Sequence, residues 1–513
     1  MPCNEMPGRS RSPRPPRWRG VSSKKVYLGG PPVRCSIPIK SHGMKNGMKH
    51  DGQSERAGQP APQWPQTSST ASWGVGLGNG GSGTNGRTYR GRVRPVCASS
   101  SADGPIAYDI TLESLVEAFE DCMKAKLSSR DGLAFLGVYE AELRRLWLEL
   151  HSGRYEPGRS KCFVVRWPVK REVFAADFAD RVVHHWWALR VNPLLEGLFT
   201  EQGNVSKNCR RGEGTLKAVQ EVQRMVDAHP TWWVGKFDFE GYFMNIDQQV
   251  LWEMMDEFLR SRYRGPDLDA VLWVTRTIIF HRPQDKCLLR SPRSAWRGIP
   301  PRKMLSAQPE GKGCAIGNLP SQLMANFYAS AFDDFVHRMG ITEYVRFVDD
   351  FVVVLPGREN VVRLIPLFRD FLREQLRIRL HPKKIYVQPV RHGVLYVGAY
   401  IQPGRTYIGN RTRGRFVDTL RHFNRLAAED QALPHLEAFV SSMNSYLGLM
   451  RHHRTYRIRK RLLREMHPEW WRYVTVEGHV EKLRIRKRYR QRERWRQMVK
   501  DGSYARVLMP EVF

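Results

Sequence analysis

Two apolar runs meet at a pair of acids in EYVRFVDDFVVVLP, residues 343–356. Strand-forming stretches flank Asp349 and Asp350, so the segment predicts a β-hairpin, because Asp tolerates tight-turn dihedrals and hydrogen-bonds its own backbone. A third acid, Asp238, lies inside the β-rich stretch WWVGKFDF. Asp is depleted in strands, and the alternation aims this one away from solvent unless a charge partner waits for it. If that strand lies beside the hairpin, three carboxylates converge at one point. Their mutual repulsion then calls for divalent cations, and a hard ion such as Mg²⁺ prefers all-oxygen surroundings. Two such ions about 3.5 to 4 Å apart stabilise the attacking and leaving oxygens of an in-line phosphoryl displacement. Nucleotidyl transfer is the chemistry that suits the arrangement.

The charge balance points to the same class of partner. The chain has 513 residues with 83 Lys plus Arg against 51 Asp plus Glu, a net charge of +32. That is too basic for an ordinary metabolic enzyme and predicts a polyanion, nucleic acid first, because cations that neutralise phosphates release condensed counterions. A hydrophobic content of 41%, with 15 Trp, 18 Tyr and 22 Phe, supplies a core and excludes a wholly disordered basic protein. The eight cysteines, Cys3, Cys35, Cys97, Cys122, Cys162, Cys209, Cys287 and Cys314, show no CxxC pair. Their scatter argues against structural zinc and a secreted disulfide framework, and predicts free thiols in a reducing compartment. With no run of about 18 apolar residues and no apolar N-terminal leader, the expectation is a cytoplasmic protein with no membrane partner.

Residues 1–104 are rich in Gly, Pro, Ser and Arg, carry few acids and lack a sustained hydrophobic period, which predicts disorder. A folded region opens near Ile106, where ITLESLVEAFEDCMKAKL and VYEAELRRLWLELHSG have apolar residues at helical spacing, the second stopped by Gly153. Strands are expected at 162–167, 232–239, 344–347, 351–355 and 394–401, and helices at 319–338 and 360–375. The pattern is α/β in composition without a regular βαβ alternation. From Thr412 the chain reads as helical. Between Arg451 and Lys500, 18 basic residues face 5 acidic ones, interleaved with Tyr456, Trp470, Trp471, Tyr473, Tyr489 and Trp495. Such a mixture suits nucleic acid, with stacking aromatics among backbone-tracking cations, and equally an amphipathic helix over a buried aromatic stripe.

At these residues the chain resembles a known family. FVDD is similar to the YxDD box of reverse transcriptases, and KFDFEGYF to the strand bearing their first metal-binding aspartate, with the aromatic guarding the ribose 2′ position five residues later, here Phe243. KREVFAADFADRVVHHWW and NCRRGEGTLKAV resemble the fingers motifs, and GCAIGNLPSQLMANFY the helix motif before the catalytic hairpin. LHPKKI and VLYVGAYI resemble the two motifs after it, and SSMNSYLGLMRHH the thumb. Within the superfamily, IGNLPSQ in place of QGxxxSP, together with FAADFADRVVHH, looks like the reverse transcriptases of diversity-generating retroelements, which copy a template-repeat RNA into cDNA with errors concentrated at adenines. The resemblance implies an α/β (α+β) right-hand polymerase. Fingers and palm would fill 105–410, with a helical thumb and basic extension over 411–513, behind a disordered segment 1–104.

It also implies roles. Asp238, Asp349 and Asp350 would be the catalytic, metal-binding carboxylates for two Mg²⁺ ions, with Mn²⁺ as substitute. Arg171 and Arg210 would grip the incoming triphosphate, through the planar donor fork of Arg, and Lys384 would reach the leaving pyrophosphate. Gly212 and Gly214 would let the chain turn close to phosphate. Ile316, Gly317 and Gln322 would border the nascent base pair, with Ile316 where many relatives have Gln and Gln322 where they have Pro, relaxing nucleotide selection. The bland reading of Ile316 is a packing residue, and of Arg171, Arg210 and Lys384 surface cations. His184 and His185 match the family but read better as packing histidines, since no Cys or carboxylate sits at a ligand spacing. The implied partners are template RNA and a cDNA primer strand, deoxynucleoside triphosphates and a small basic accessory variability protein.

Phe347 departs from the family's Tyr, removing a hydroxyl while leaving the carboxylates, and no RNase H or nuclease signature follows the thumb. SSTASWGVGLGNGGSGTNGRTYRGRVRPV, residues 68–96, resembles the C-terminal stretch of the variable lectin-like proteins such retroelements diversify. Residues 1–104 thus read either as template-repeat DNA translated in frame or as a basic RNA-binding arm. Rival readings of the whole are a group II intron-like or defence-associated reverse transcriptase, and a retired polymerase serving as an RNA-binding scaffold.

Overall fold

The structure, a computed structural model, describes residues 107–489 apart from Ala125, Ser128, Trp167 and Pro168. The expectations for residues 1–104, for Cys3, Cys35 and Cys97, and for the basic stretch beyond Tyr489 with Trp495 lie outside the described residues.

Three helices come first: α1 (Leu112–Met123), α2 (Arg130–Leu136) and α3 (Tyr139–His151). Thr111 caps α1 by accepting from the Ser114 amide at 3.2 Å. Gly153 ends the turn after α3 at φ +67°, a conformation that suits glycine. β1 (Ser160–Val165) and β2 (Arg171–Ala175) follow as an antiparallel pair with Cys162 opposite Phe174. α4 (Phe178–Glu201) is enclosed on most of its circumference, with Val182, Val183, Trp186, Trp187, Val191 and Leu195 all buried. A helix apolar around its girth belongs in a core, and α4 packs between α1 and the later helix at Leu319–Arg338.

Next come α5 (Thr215–Ala228), β3 (Trp233–Asp238), the single turn α6 (Tyr242–Asn245), α7 (Gln248–Arg262) and α8 (Leu268–Phe280). β4 (Cys287–Leu289) returns to lie parallel to β1. The chain then runs through α9 (Leu319–Arg338), β5 (Tyr344–Phe347), β6 (Asp350–Leu355), α10 (Arg358–Glu374) and β7 (Tyr386–Pro389). Strands β3, β5, β6 and β7 make one antiparallel sheet in the order β5-β6-β3-β7. Both of its faces are covered. Phe237 and Phe351 meet Phe332 of α9 and Phe368 of α10 on one side, while Val234, Val352 and Val354 meet Val219, Val222 and Val226 of α5 on the other. Double burial explains why FVVVL shows no polar alternation.

The expected strand 394–401 is a hairpin instead, β8 (Val394–Tyr396) and β9 (Ala399–Gln402), joined by Val397 and Gly398 at φ +40° and +91°. Two positive-φ residues make the tight turn a two-residue hairpin requires. β10 (Arg405–Ile408) completes this sheet. Beyond it α11 (Asn410–Ala428), α12 (Leu436–Met450), α13 (Tyr456–Arg464) and α14 (Trp470–Tyr473) share a second core, in which Phe423, Phe439, Met443 and Trp470 meet. The all-helical expectation for this region fails at β11 (Val474–Glu477) and β12 (Lys482–Ile485), an antiparallel hairpin. Val474, Leu483 and Ile485 face the core, and the Asn444 side chain bonds both the N–H and the C=O of Leu483, fixing β12 to α12. The fold is mixed helix and sheet, α+β. No helix among the described residues is long and apolar enough to cross a membrane, and Cys122, Cys162, Cys287 and Cys314 are free thiols.

Candidate active site

Register alone brings the three acids together. β3 and β6 pair with Asp238 opposite Asp350, and β5 and β6 with Phe347 opposite Asp350. Val348 and Asp349 are therefore the two residues of the β5–β6 turn, at the end of the sheet where β3 delivers Asp238. A third tie holds the turn to β3, the Phe239 N–H donating to the Asp349 carbonyl at 3.0 Å. The Lys384 ammonium donates to Asp238 Oδ2 at 2.7 Å, and Lys236 Nζ lies 3.5 Å from Asp350 Oδ1. The other Asp238 oxygen, Oδ1, is buried and accepts no hydrogen bond. Its neighbour is the Asp350 carboxylate, which when ionised has no proton to give.

Charge crowding shows in the ionisation of the group. Burial, then the charges of Asp238 and Asp350, push the Asp349 carboxyl up to about 7. Burial raises Asp238 as well, with Asp350 adding to it and the Lys384 hydrogen bond opposing. Burial alone would lower Lys384, but its bond to Asp238 and the nearby acids raise it. Two ammoniums, Lys384 and Lys236, thus face three crowded carboxylates, an environment short of positive charge. An orphaned buried carboxylate oxygen beside two further carboxylates fits a divalent cation. Asp238 and Asp349 would hold it, with Asp350 alongside. Among the described residues no three His, Cys, Asp or Glu side chains already form a set that could hold an ion. Mg²⁺ asks for less than that, since it keeps several waters and binds through one or two carboxylates plus substrate phosphates.

The other residues singled out by the sequence distribute unevenly. Phe243, on α6, and Ile316 pack in one small cluster around Phe174 of β2, with Met244 and Leu305. The Phe174 N–H donates to the Ile316 carbonyl at 2.9 Å, and the Cys314 N–H to that of Phe243 at 2.7 Å. Gly317 is forced by this contact, for at φ +128° a Cβ would lie 2.7 Å from the Phe174 carbonyl oxygen. Gln322 is exposed on the first turn of α9. Arg171 opens β2 on the half-exposed face, opposite in alternation to buried Glu172 and Phe174.

Arg210 is engaged within the protein. Its guanidinium bonds Glu196 at 2.9 Å, the Ser206 carbonyl at 3.1 Å and Asn204 at 2.9 Å, lies over the Phe199 ring, and leaves its side chain 3% exposed. A fork so engaged braces the 204–210 loop against the end of α4. His184 is buried, and its pKa falls to about 3 through burial and nearby His185, His281 and Arg181. His185 pairs with Asp121 at 2.8 Å. Both are packing or surface groups. Trp470 is likewise core, stacked on Phe439 at 3.8 Å, whereas Tyr456 stays 45% exposed.

Sequence reading missed the support beneath the turn. Arg346 and Asp333, both fully buried, form an ion pair at 2.5 Å, and Arg346 and Asn208 reach the backbone of Val348. The available signal was Arg346 itself, two residues from Tyr344 in an apolar strand and therefore on its inner face.

No protein-family model and no curated protein matches the chain. Among solved structures it is similar to telomerases. With the apo telomerase from Candida tropicalis truncated from the C-terminal domain it shares 14% identity over 48% of this chain and 53% of that one, at a TM-score of 0.34. With the Candida albicans telomerase in complex with a TWJ fragment of telomeric RNA it shares 15% identity over 63% and 60%, at 0.36. With an apo telomerase from Candida tropicalis it shares 12% over 64% and 61%, at 0.38. The chain spans between about half and three fifths of the length of these structures.

Proposed function

We propose that this protein is a template-directed nucleotidyltransferase that adds deoxynucleotides to a primer strand on an RNA template. The observation that carries the reading is the convergence of Asp238, Asp349 and Asp350 at one end of an antiparallel sheet, with a buried carboxylate oxygen left unbonded. Divalent cations, Mg²⁺ or Mn²⁺, would supply the charge that activates a primer hydroxyl and neutralises the phosphates. Asp238 and Asp349 hold them and Asp350 adds negative potential. Lys384, whose side chain is 54% exposed on a flexible stem, can turn from Asp238 toward a leaving pyrophosphate, where an ammonium stabilises developing charge. Arg171 faces the open side of β2 and is the remaining candidate for the triphosphate. Phe243 closes the ribose side, and the Ile316–Phe174 contact sets the wall beside it.

The finer reading is a reverse transcriptase of a diversity-generating retroelement, working with template-repeat RNA and a small basic accessory protein. It rests on IGNLPSQ and FAADFADRVVHH, whose residues meet at Phe174 and Ile316. Primer extension on RNA with purified protein and Mg²⁺, with and without a candidate accessory protein, followed by cDNA sequencing, tests both levels. Synthesis lost in Asp349→Ala and substitutions enriched opposite adenine are the expected results. Accurate synthesis would replace the finer reading with the intron-like or defence-associated one. RNA binding without synthesis in any combination would replace both with the scaffold.

A further inference from the structure

We infer that Asn208 is a positioning residue for the catalytic turn, clamping Val348 in a left-handed conformation that the residue would not hold by itself, and so fixing where Asp349 stands. The inference rests on the nucleotidyl-transfer reading for its catalytic consequence, but its structural part stands on the turn alone.

Val348 has φ +61° as the first of the two residues linking β5 and β6. A two-residue hairpin with positive φ at its first position normally carries glycine there, because Cβ crowds the backbone. For a β-branched residue the conformation is an outlier that persists only when its surroundings over-determine it. Here they do so from both sides. The Val348 N–H donates to Asn208 Oδ1 at 2.7 Å, and the Val348 carbonyl accepts from Arg346 Nη1 at 3.0 Å. Neither clamp is loose. Arg346 is locked by Asp333 through Nε at 2.7 Å and Nη2 at 2.5 Å, and Tyr344 bonds the same carboxylate at 2.6 Å. Asn208 is buried, and its own carbonyl accepts from Asn326 Nδ2 at 3.3 Å. Asn326 Oδ1 in turn receives Ser206 at 2.5 Å and Arg346 at 3.2 Å. The 205–207 backbone runs beside β5, with Arg346 N–H donating to Val205 and Lys207 N–H to Arg346.

The next residue after this clamped one is Asp349, whose carboxylate needs sub-ångström placement for in-line chemistry. A displacement of about 1 Å far from the reacting atoms can cost on the order of a hundredfold in rate. Arg346 and Asp333 are unsuited to test this, since breaking a buried ion pair unfolds proteins. Asn208→Ala removes one acceptor and keeps the pair.

The test is a double-mutant cycle of Asn208→Ala with Val348→Gly, because glycine holds positive φ without a clamp. In thermal unfolding of the full chain, Asn208→Ala should lower the midpoint in the Val348 background and lower it much less when Val348→Gly is present. In single-nucleotide incorporation, Asn208→Ala should reduce kcat by on the order of tenfold or more with little change in the nucleotide KM. Val348→Gly should restore most of that loss. Additive effects on unfolding would overturn the clamp, and a kcat and KM equal to those of the wild type would overturn its positioning of Asp349. A raised KM with unchanged kcat would overturn its positioning role and assign Asn208 to binding. Coupling in unfolding beside a wild type that makes no product on any template would instead overturn the nucleotidyl-transfer reading while the clamp stands.

Discussion

At the scale of residues, the meeting of the three acids was legible where a side chain contradicted its local context. Asp238 in a strand and Asp349–Asp350 between apolar runs were readable because a buried charge needs a reason. The internal partner of Arg210 was not legible, because sequence does not reveal which acid will claim a cation, and Glu196, fourteen positions earlier, does so at the end of α4. Replacing Arg210 by Ala should therefore cost about 1 to 3 kcal/mol of stability, as loss of buried charged hydrogen bonds does, and leave the nucleotide KM within about twofold, the conversion from fold to free energy being small at that level. Denaturant unfolding and steady-state kinetics on the same variant measure both. A large rise in KM would return Arg210 to the triphosphate. Phe243, packed edge-on to Tyr242, should discriminate against ribonucleotides, so Phe243→Ala is expected to raise ribonucleotide incorporation relative to deoxynucleotide. An unchanged ratio would remove it from the ribose side.

At the scale of elements, long apolar periods read correctly and short turns did not. α9 and β5 match their expected ranges, Pro320 marking the first turn of α9 and a compact apolar run marking β5. Val394–Ile401 reads as one strand until Val397 and Gly398 take positive φ, and a single Gly inside a strand pattern gives only a weak sign of that. The β11–β12 hairpin was hidden by its charge, since every second residue of KLRI is basic and the stretch matched a solvated helix. Of the two readings open for Trp470, the buried aromatic one holds, since it stacks on Phe439 of α12. Trp470→Ala should cost about 3 to 5 kcal/mol, as large-to-small core changes do, seen as a lowered thermal midpoint of the C-terminal core. Gly317→Ala should displace the Ile316–Phe174 contact rather than leave it, given the 2.7 Å approach, and change nucleotide selection before it changes RNA affinity.

At the scale of the whole molecule, net charge and buried ionisable groups make two demands on solution conditions. A charge of +32 predicts RNA binding that falls steeply with salt, with a slope near −0.7 per phosphate contact for single strands. A salt-independent affinity would contradict binding through phosphate contacts. His184 sets an acid limit. Its folded pKa of about 3 lies below the ordinary 6.5, so below pH 6.5 the unfolded chain binds a proton that the folded chain refuses. Stability from this group is complete above pH 6.5 and falls toward pH 3, by about 1.4 kcal/mol per pH unit. His184→Gln should flatten the pH dependence of unfolding across that window, whatever its effect at pH 7. Global organisation was the part least open to sequence, because the buried pair Asp333–Arg346 and the segment 205–208 that meet under the turn come from three separate stretches of chain.

The most direct test of the central claim is single-nucleotide incorporation on an RNA-templated primer at saturating Mg²⁺, comparing wild type, Asp238→Ala and Asp349→Ala with RNA affinity measured on the same preparations. The account predicts incorporation by the wild type, loss in both variants by on the order of a thousandfold or more, as expected when transition-state charge stabilisation is removed, and unchanged RNA affinity. Incorporation that survives either substitution would contradict it.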